Sequence, residues 1–172
     1  MNMSIKRLQQ KQLCLLCAAM DELTKFYIRP MRENDLDAVT AIERASYPTP
    51  WSGEHFRNEI TAGYSWPLVV EEGGRVIGYV CVMSLFEEAQ ILNIAVSPEQ
   101  RGRGVAQLLL EHAFVLAHDN GAEVVALEVR ASNSTAISLY EKLGFIRTGI
   151  RARYYDHTED AVLMEKPLKE NR

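Results

Sequence analysis

The chain has 172 residues, 47% of them hydrophobic, with 19 Lys and Arg against 23 Asp and Glu and a formal net charge of −4. That length and apolar content suffice for one domain with a sizeable core, and no low-complexity or linker-like stretch divides it. The basic residues are scattered, which argues against a nucleic-acid surface as the main activity, and no run reaches the roughly 18 apolar residues of a membrane span.

Lys6, Arg7 and Lys11 precede the apolar run Leu13 to Met20 in a way that imitates a secretory signal. The run is short, lacks a small-x-small cleavage site and is followed by Asp21-Glu22, so residues 1–25 are expected to form an amphipathic helical extension and 26–168 the domain proper. Cys14 and Cys17 sit in this Leu/Ala-rich pattern with no second Cys/His pair to complete a zinc site. Together with Cys81 they read as buried thiols of a reduced, cytoplasmic protein. His55, His112, His118 and His157 share no ligand spacing, so no metal site is expected.

Phe26 to Pro30 reads as a first strand, and Asn34-Asp35 as the cap of a helix with Leu36, Val39, Ile42 and Ala45 on its inner face. Pro48-Thr49-Pro50 breaks that helix; Ser52 caps a second, with Phe56 and Ile60 inward. Trp66-Pro67 leads into a strand over Leu68 to Glu71. Gly73-Gly74 turns a hairpin into Val76 to Phe86, and Glu87-Glu88 precedes a further strand over Ala89 to Val96.

That strand runs into Ser97-Pro98-Glu99-Gln100-Arg101-Gly102-Arg103-Gly104-Val105-Ala106, which opens a helix reaching about Asp119. The first N–H groups of a helix have no intrahelical acceptor, so a Gly-rich loop there is an anion site, although the same pattern also serves as an ordinary turn before a helix. No Gly-Lys-Ser/Thr follows, and Arg-x-x-Gly-x-Ala is not the dinucleotide spacing Gly-x-Gly-x-x-Gly. Val124 to Val129 is a buried-type strand. Asn133 caps a helix ending at Gly144, and Phe145 to Ile150 and Ala161 to Lys166 close the sheet as antiparallel strands around a polar loop, 156–159. The order predicts an α/β fold: a mixed, mostly antiparallel sheet with one parallel crossover and helices on both faces.

Glu128 lies near the end of an apolar strand, where a carboxylate loses hydration and gains proton affinity; it suits a general base, or equally an ion pair with Arg130 or another cation. Tyr140 shares a helix face with Ala136 and Leu143, so it is either a packed core phenol or a proton donor. Tyr154 and Tyr155, beside Arg151 and Arg153, either line a peptide groove or stand on a strand surface.

Arg101 to Ala106 resembles the acetyl-CoA pyrophosphate loop of the GNAT N-acetyltransferases. Five separated motifs, Pro50-Trp51-Ser52, Asn93 to Val96, Leu127 to Asn133, Leu139 to Phe145 and Arg153-Tyr154-Tyr155, closely resemble the RimI-type ribosomal-protein-alanine N-acetyltransferases. The resemblance implies a GNAT fold over 26–168, with Glu128 as general base and Tyr140 as general acid. It implies acetyl-CoA bound by the backbone of Ile94, Ala95 and Val96, by the loop Gly102, Arg103, Gly104, Val105, Ala106 and Gln107, and by the Asn133 side chain, with Arg101 and Arg103 adding charge. The implied partner is the N-terminal segment of small-subunit ribosomal protein eighteen, with neither nucleic acid nor membrane involved. The alternatives are a GNAT acting on lysine, a polyamine or an antibiotic, and a non-catalytic acyl-CoA sensor; the presence of both Glu128 and Tyr140 disfavours the sensor. The N-terminal extension's role and the oligomeric state are not readable from the sequence.

Overall fold

The structure, a computed structural model, describes residues 25–168; the expected N-terminal helix, with Cys14 and Cys17, lies outside them. The elements are β1 (Phe26–Pro30), α1 (Leu36–Ser46), α2 (Gly53–Thr61), β2 (Ser65–Glu72), β3 (Arg75–Leu85), β4 (Glu88–Val96), α3 (Val105–Asp119), β5 (Val124–Arg130), α4 (Ser134–Lys142), β6 (Ile146–Tyr155) and β7 (Glu159–Pro167), with short 3-10 turns at Glu33–Asp35 and Pro98–Gln100. The strands form one sheet in the order β1-β2-β3-β4-β5-β7-β6. Every neighbouring pair is antiparallel except β4 and β5, which the α3 crossover joins in parallel. This is the mixed sheet the element order predicts.

Alternation along the strands sends side chains to two cores. On one face Val80, Val82, Ile91, Val125, Leu127 and Met164 pack with Leu109, Leu110 and Phe114 of α3 and with Ile137 and Tyr140 of α4. On the other, Val69, Tyr79, Cys81 and Ala95 pack with Val39 and Ile42 of α1 and Phe56 of α2. Phe56 is fully buried, its ring centroid 5.3 Å from Trp51 and 5.2 Å from Tyr79. A side chain of that size contributes roughly 1.5–3 kcal/mol by leaving water.

Local signals place most element ends. Ser52 Oγ accepts from the His55 N–H at 3.4 Å, the cap expected for α2, and Asn133 Oδ1 accepts from the Ala136 N–H at 3.1 Å, capping α4. Gly73 and Gly74, at φ 58° and 77°, supply the two positive angles of a two-residue hairpin turn.

Three details differ from expectation. Asp35 does not cap α1: its carboxylate accepts from the Arg32 N–H at 2.7 Å and from Arg29 at 2.7 and 2.8 Å, and the Arg29 guanidinium holds it below the usual carboxylate range. On α1 the inward positions are Leu36, Val39, Thr40, Ile42 and Glu43, whereas Ala45 is exposed. Finally, β6 continues past Ile150 to Tyr155, and β7 lies between it and β5. The register of β6 on β7 slips between Arg151 and Tyr155, with Arg153 at φ 51° and its N–H bonded to Asp160 Oδ1 at 2.8 Å. This bulge arches the end of the strand.

Candidate functional site

Strands β4 and β5 stay paired only from Glu88↔Val124 to Ile91↔Leu127. Beyond that they part, although β4 continues to Val96 and β5 to Arg130. The gap opens a cleft of about 410 Å³ between the chain after α1, the two diverging strands and the β6–β7 end, lined by Glu43, Tyr47, Trp51, Asn93, Ile94, Glu128, Asn133, Tyr140 and Tyr155 among others. Because Leu127 and Val129 face the α3 and α4 core, Glu128 projects to the opposite face, and Tyr140 reaches the cleft from α4 on the first face. A continuous sheet would separate the two side chains; the parting brings them to one cavity.

Glu128 Oε1 lies 2.8 Å from Arg151 Nη1 on β6, the carboxylate side chain being 17% exposed. Arg130, the nearer cation in sequence, is engaged elsewhere, donating to Glu159 at 3.0 Å and Asp156 at 2.9 Å with its guanidinium 4.3 Å from the Tyr155 ring centroid. The Tyr140 phenol is buried, and burial, with the Tyr155 phenol adding, pushes its pKa up to about 12. It therefore stays protonated, a hydrogen-bond donor, across the ordinary pH range. Tyr155, half-buried, is likewise pushed up to about 12, first by burial and then by the Glu128 charge. Of the tyrosine pair, Tyr155 lines the cleft and Tyr154 does not; Tyr154 is an exposed strand residue.

The loop before α3 has the form of an anion cradle. Gly102 and Gly104 sit at φ 75° and 78°, and a Cβ on either would meet nothing within 4 Å, so the backbone borders open space. The first bond of α3 runs from the Leu108 N–H to the Gly104 carbonyl at 3.0 Å, and the amides of Val105, Ala106 and Gln107 have no backbone acceptor among the described residues. Free amides at a helix start, with room in front of them, fit a pyrophosphate. The two arginines lead elsewhere: Arg101 donates to the Val96 carbonyl at 3.2 Å and to Ser46 at 3.0 Å, while Arg103 forks onto Glu72 at 2.8 and 2.9 Å. Ile94 lines the cleft, Ala95 and Val96 are buried behind it, and Asn133 keeps its amide group at the rim while its oxygen caps α4. Gly104→Val is expected to raise the dissociation constant of acetyl-CoA, the ligand the resemblance implies, by about 10-fold or more, because a branched side chain does not fit the left-handed φ and fills the open space before the amides. Isothermal titration of the folded variant checks this.

Two cleft residues carried no role in the sequence reading. Glu43 is 1% exposed: its Oε1 accepts from the Trp51 N–H at 2.8 Å and Asn93 Nδ2 at 3.1 Å, and its Oε2 from the Tyr79 hydroxyl. It ties α1, the Pro48 to Trp51 segment, β3 and β4 together. The Tyr47 hydroxyl donates to the Ile94 carbonyl at the gap, and burial pushes that phenol well above its ordinary value. Helical spacing could have flagged Glu43, four residues after Val39 on the buried stripe; nothing local flags Tyr47.

A profile of the Acetyltransferase (GNAT) family matches residues 36–145. A relative from Bacillus subtilis (strain 168) is 39% identical over 149 residues, which is 86% of this chain and 99% of its own length. The [ribosomal protein bS18]-alanine N-acetyltransferase of Escherichia coli (strain K12) is 35% identical over 144 residues, 82% of this chain and 97% of its own. The crystal structure of the ribosomal-protein-S18-alanine N-acetyltransferase from Escherichia coli superposes with a TM-score of 0.78 at 33% identity, covering 86% of this chain and 96% of that one. Strand order, parted strands, backbone cradle and extended sequence identity agree, and the chain belongs to the GNAT family of acetyltransferases, enzymes that take the acetyl group of acetyl-CoA to an amine nitrogen.

Proposed function

We propose that this chain acetylates the α-amino nitrogen of a protein N-terminus, and that its substrate is the N-terminal alanine of ribosomal protein bS18, the protein named in its E. coli relative. The observation that carries the chemical part of this reading is the meeting of a β5 carboxylate and an α4 phenol in one cleft. Acetyl-CoA supplies the thioester, held by the Gly102 to Gln107 loop, the Ile94 to Val96 backbone and Asn133. Glu128 takes a proton from the substrate ammonium, and the neutral amine then attacks the thioester carbonyl. Tyr140 gives its proton to the sulfur as the C–S bond breaks and regains one from the new amide nitrogen. Because a phenol near 12 is a weaker acid than a thiol of about 8.5, that transfer accompanies bond cleavage and does not precede it. Both residues end as they began once Glu128 releases its proton to water.

Acid–base arithmetic favours the N-terminus over lysine. At pH 7 about a tenth of α-amino groups are neutral, against roughly one in a few thousand lysine side chains, so a single carboxylate base suits an N-terminus far better than a lysine. A peptide beginning Ala-Arg-Tyr is expected to be acetylated on its terminal nitrogen, and the same peptide blocked there but carrying an internal Lys is expected to remain unmodified. Tandem mass spectrometry of the two mixtures decides; equal modification of the lysine peptide would make the chain a side-chain acetyltransferase.

A further inference from the structure

We propose that Arg151 is a positioning residue: it braces Glu128 from outside the cleft through Oε1 and leaves Oε2 to meet the substrate ammonium. The proposal rests on reading Glu128 as the base. Arg151 and Glu128 stand on strands that flank β7, opposite Ala161 and Leu163 respectively, and these two β7 residues share one face. The arginine thus crosses β7 at Ala161, whose single methyl leaves room for the guanidinium stem, to reach the carboxylate at 2.8 Å. Glu128 lines the cleft and Arg151 does not, so the guanidinium supports the wall without filling the substrate's space. Glu128 Oε2 has no hydrogen-bond partner among the described residues.

The arch at the end of β6 completes the brace. In a regular strand Arg151 and Tyr154, three apart, would face opposite sides of the sheet. The register slip between Arg151 and Tyr155, with Arg153 at φ 51°, turns Tyr154 back under Arg151, whose guanidinium carbon sits 4.8 Å from the ring centroid. Tyr154 in turn packs edge-on against Tyr155 at 5.1 Å between centroids. An arginine 52% exposed would otherwise sample many rotamers; held between a ring and a carboxylate it is confined. Arg130 cannot take over, because Asp156, Glu159 and the Tyr155 face already hold it.

The test is a mutant cycle with chemical rescue. Arg151→Ala is expected to lower kcat about 10-fold, the order of loss that a loosened reacting group produces, with the KM for acetyl-CoA unchanged. Millimolar guanidinium, far below denaturing concentration, should restore a good part of that loss and leave the unsubstituted enzyme unaffected; Arg151→Lys should fall between the two. Adding Arg151→Ala to Glu128→Gln should cost nothing further, since the arginine acts through the carboxylate. Unchanged kcat in Arg151→Ala, a loss that guanidinium does not relieve, or losses that multiply in the double variant would each overturn the proposal. Full activity in Glu128→Gln alone would instead remove the base assignment on which it stands.

Discussion

Glu128→Gln is expected to lower kcat by about 10²-fold or more while leaving acetyl-CoA affinity nearly unchanged. The amide keeps the size and shape of the carboxylate, so the loss isolates proton acceptance from packing. The cradle lies on the loop before α3 and contains no part of Glu128, which is why binding of the donor should survive. Steady-state kinetics with an Ala-Arg-Tyr peptide, paired with isothermal titration of acetyl-CoA, separates the two quantities. A variant as fast as the parent would remove Glu128 from the reaction, and one that had lost donor affinity would make it a binding residue.

Glu43→Ala is expected to destabilise the fold by about 2–4 kcal/mol and to slow turnover with it. The substitution leaves the Tyr79 hydroxyl, the Asn93 amide and the Trp51 N–H without their acceptor in a place water reaches poorly, and unsatisfied buried donors cost about 1–3 kcal/mol each before relaxation. Through the Trp51 N–H, Glu43 also holds the segment after α1, so loosening it disturbs the cleft wall as well as the core. Urea unfolding should show a lower midpoint at unchanged slope. A midpoint equal to that of the parent would mean that the three donors find other partners.

Much of what depends on a short stretch of chain is legible in the sequence. The cradle is one such stretch: two glycines between a strand and a helix state both the backbone angles and the free amides that the structure has. The motifs place Glu128 on a strand and Tyr140 on a helix, as the structure does, but the reason the two side chains meet is not visible in them. It depends on where β4 and β5 stop pairing, a property of two strands whose last register pair, Ile91↔Leu127, is 36 residues apart in the chain. The sequence allows Glu128 a partner at Arg130 or at another cation, and the structure has it at Arg151; which cation it is cannot be read from alternation within each strand, because it follows from the order β5-β7-β6. Glu43 shows a different failure: its place on the buried stripe of α1 was implied by spacing, and a charged residue there was passed over in favour of Ala45. The bulge had no signal, since Arg153 adopts a positive φ without being Gly or Asn.

The arch that shapes the cleft wall has a second effect at the outer margin of the sheet. β6 is an edge strand ten residues long, and Ile146 and Ile150 are exposed on it. A flat apolar edge of that length offers another chain a row of unmet amides and carbonyls and invites intermolecular zippering, the first step of fibrous aggregation. Here the long charged side chains of Arg147, Arg151 and Arg153 interrupt the apolar margin, and the bend over residues 152–154 breaks the straight run a visiting strand would have to follow. Straightening that bend, for example by removing a residue between Arg151 and Tyr155, would therefore do more than misplace two tyrosines: it would lengthen the adhesive edge and lower the protein's solubility.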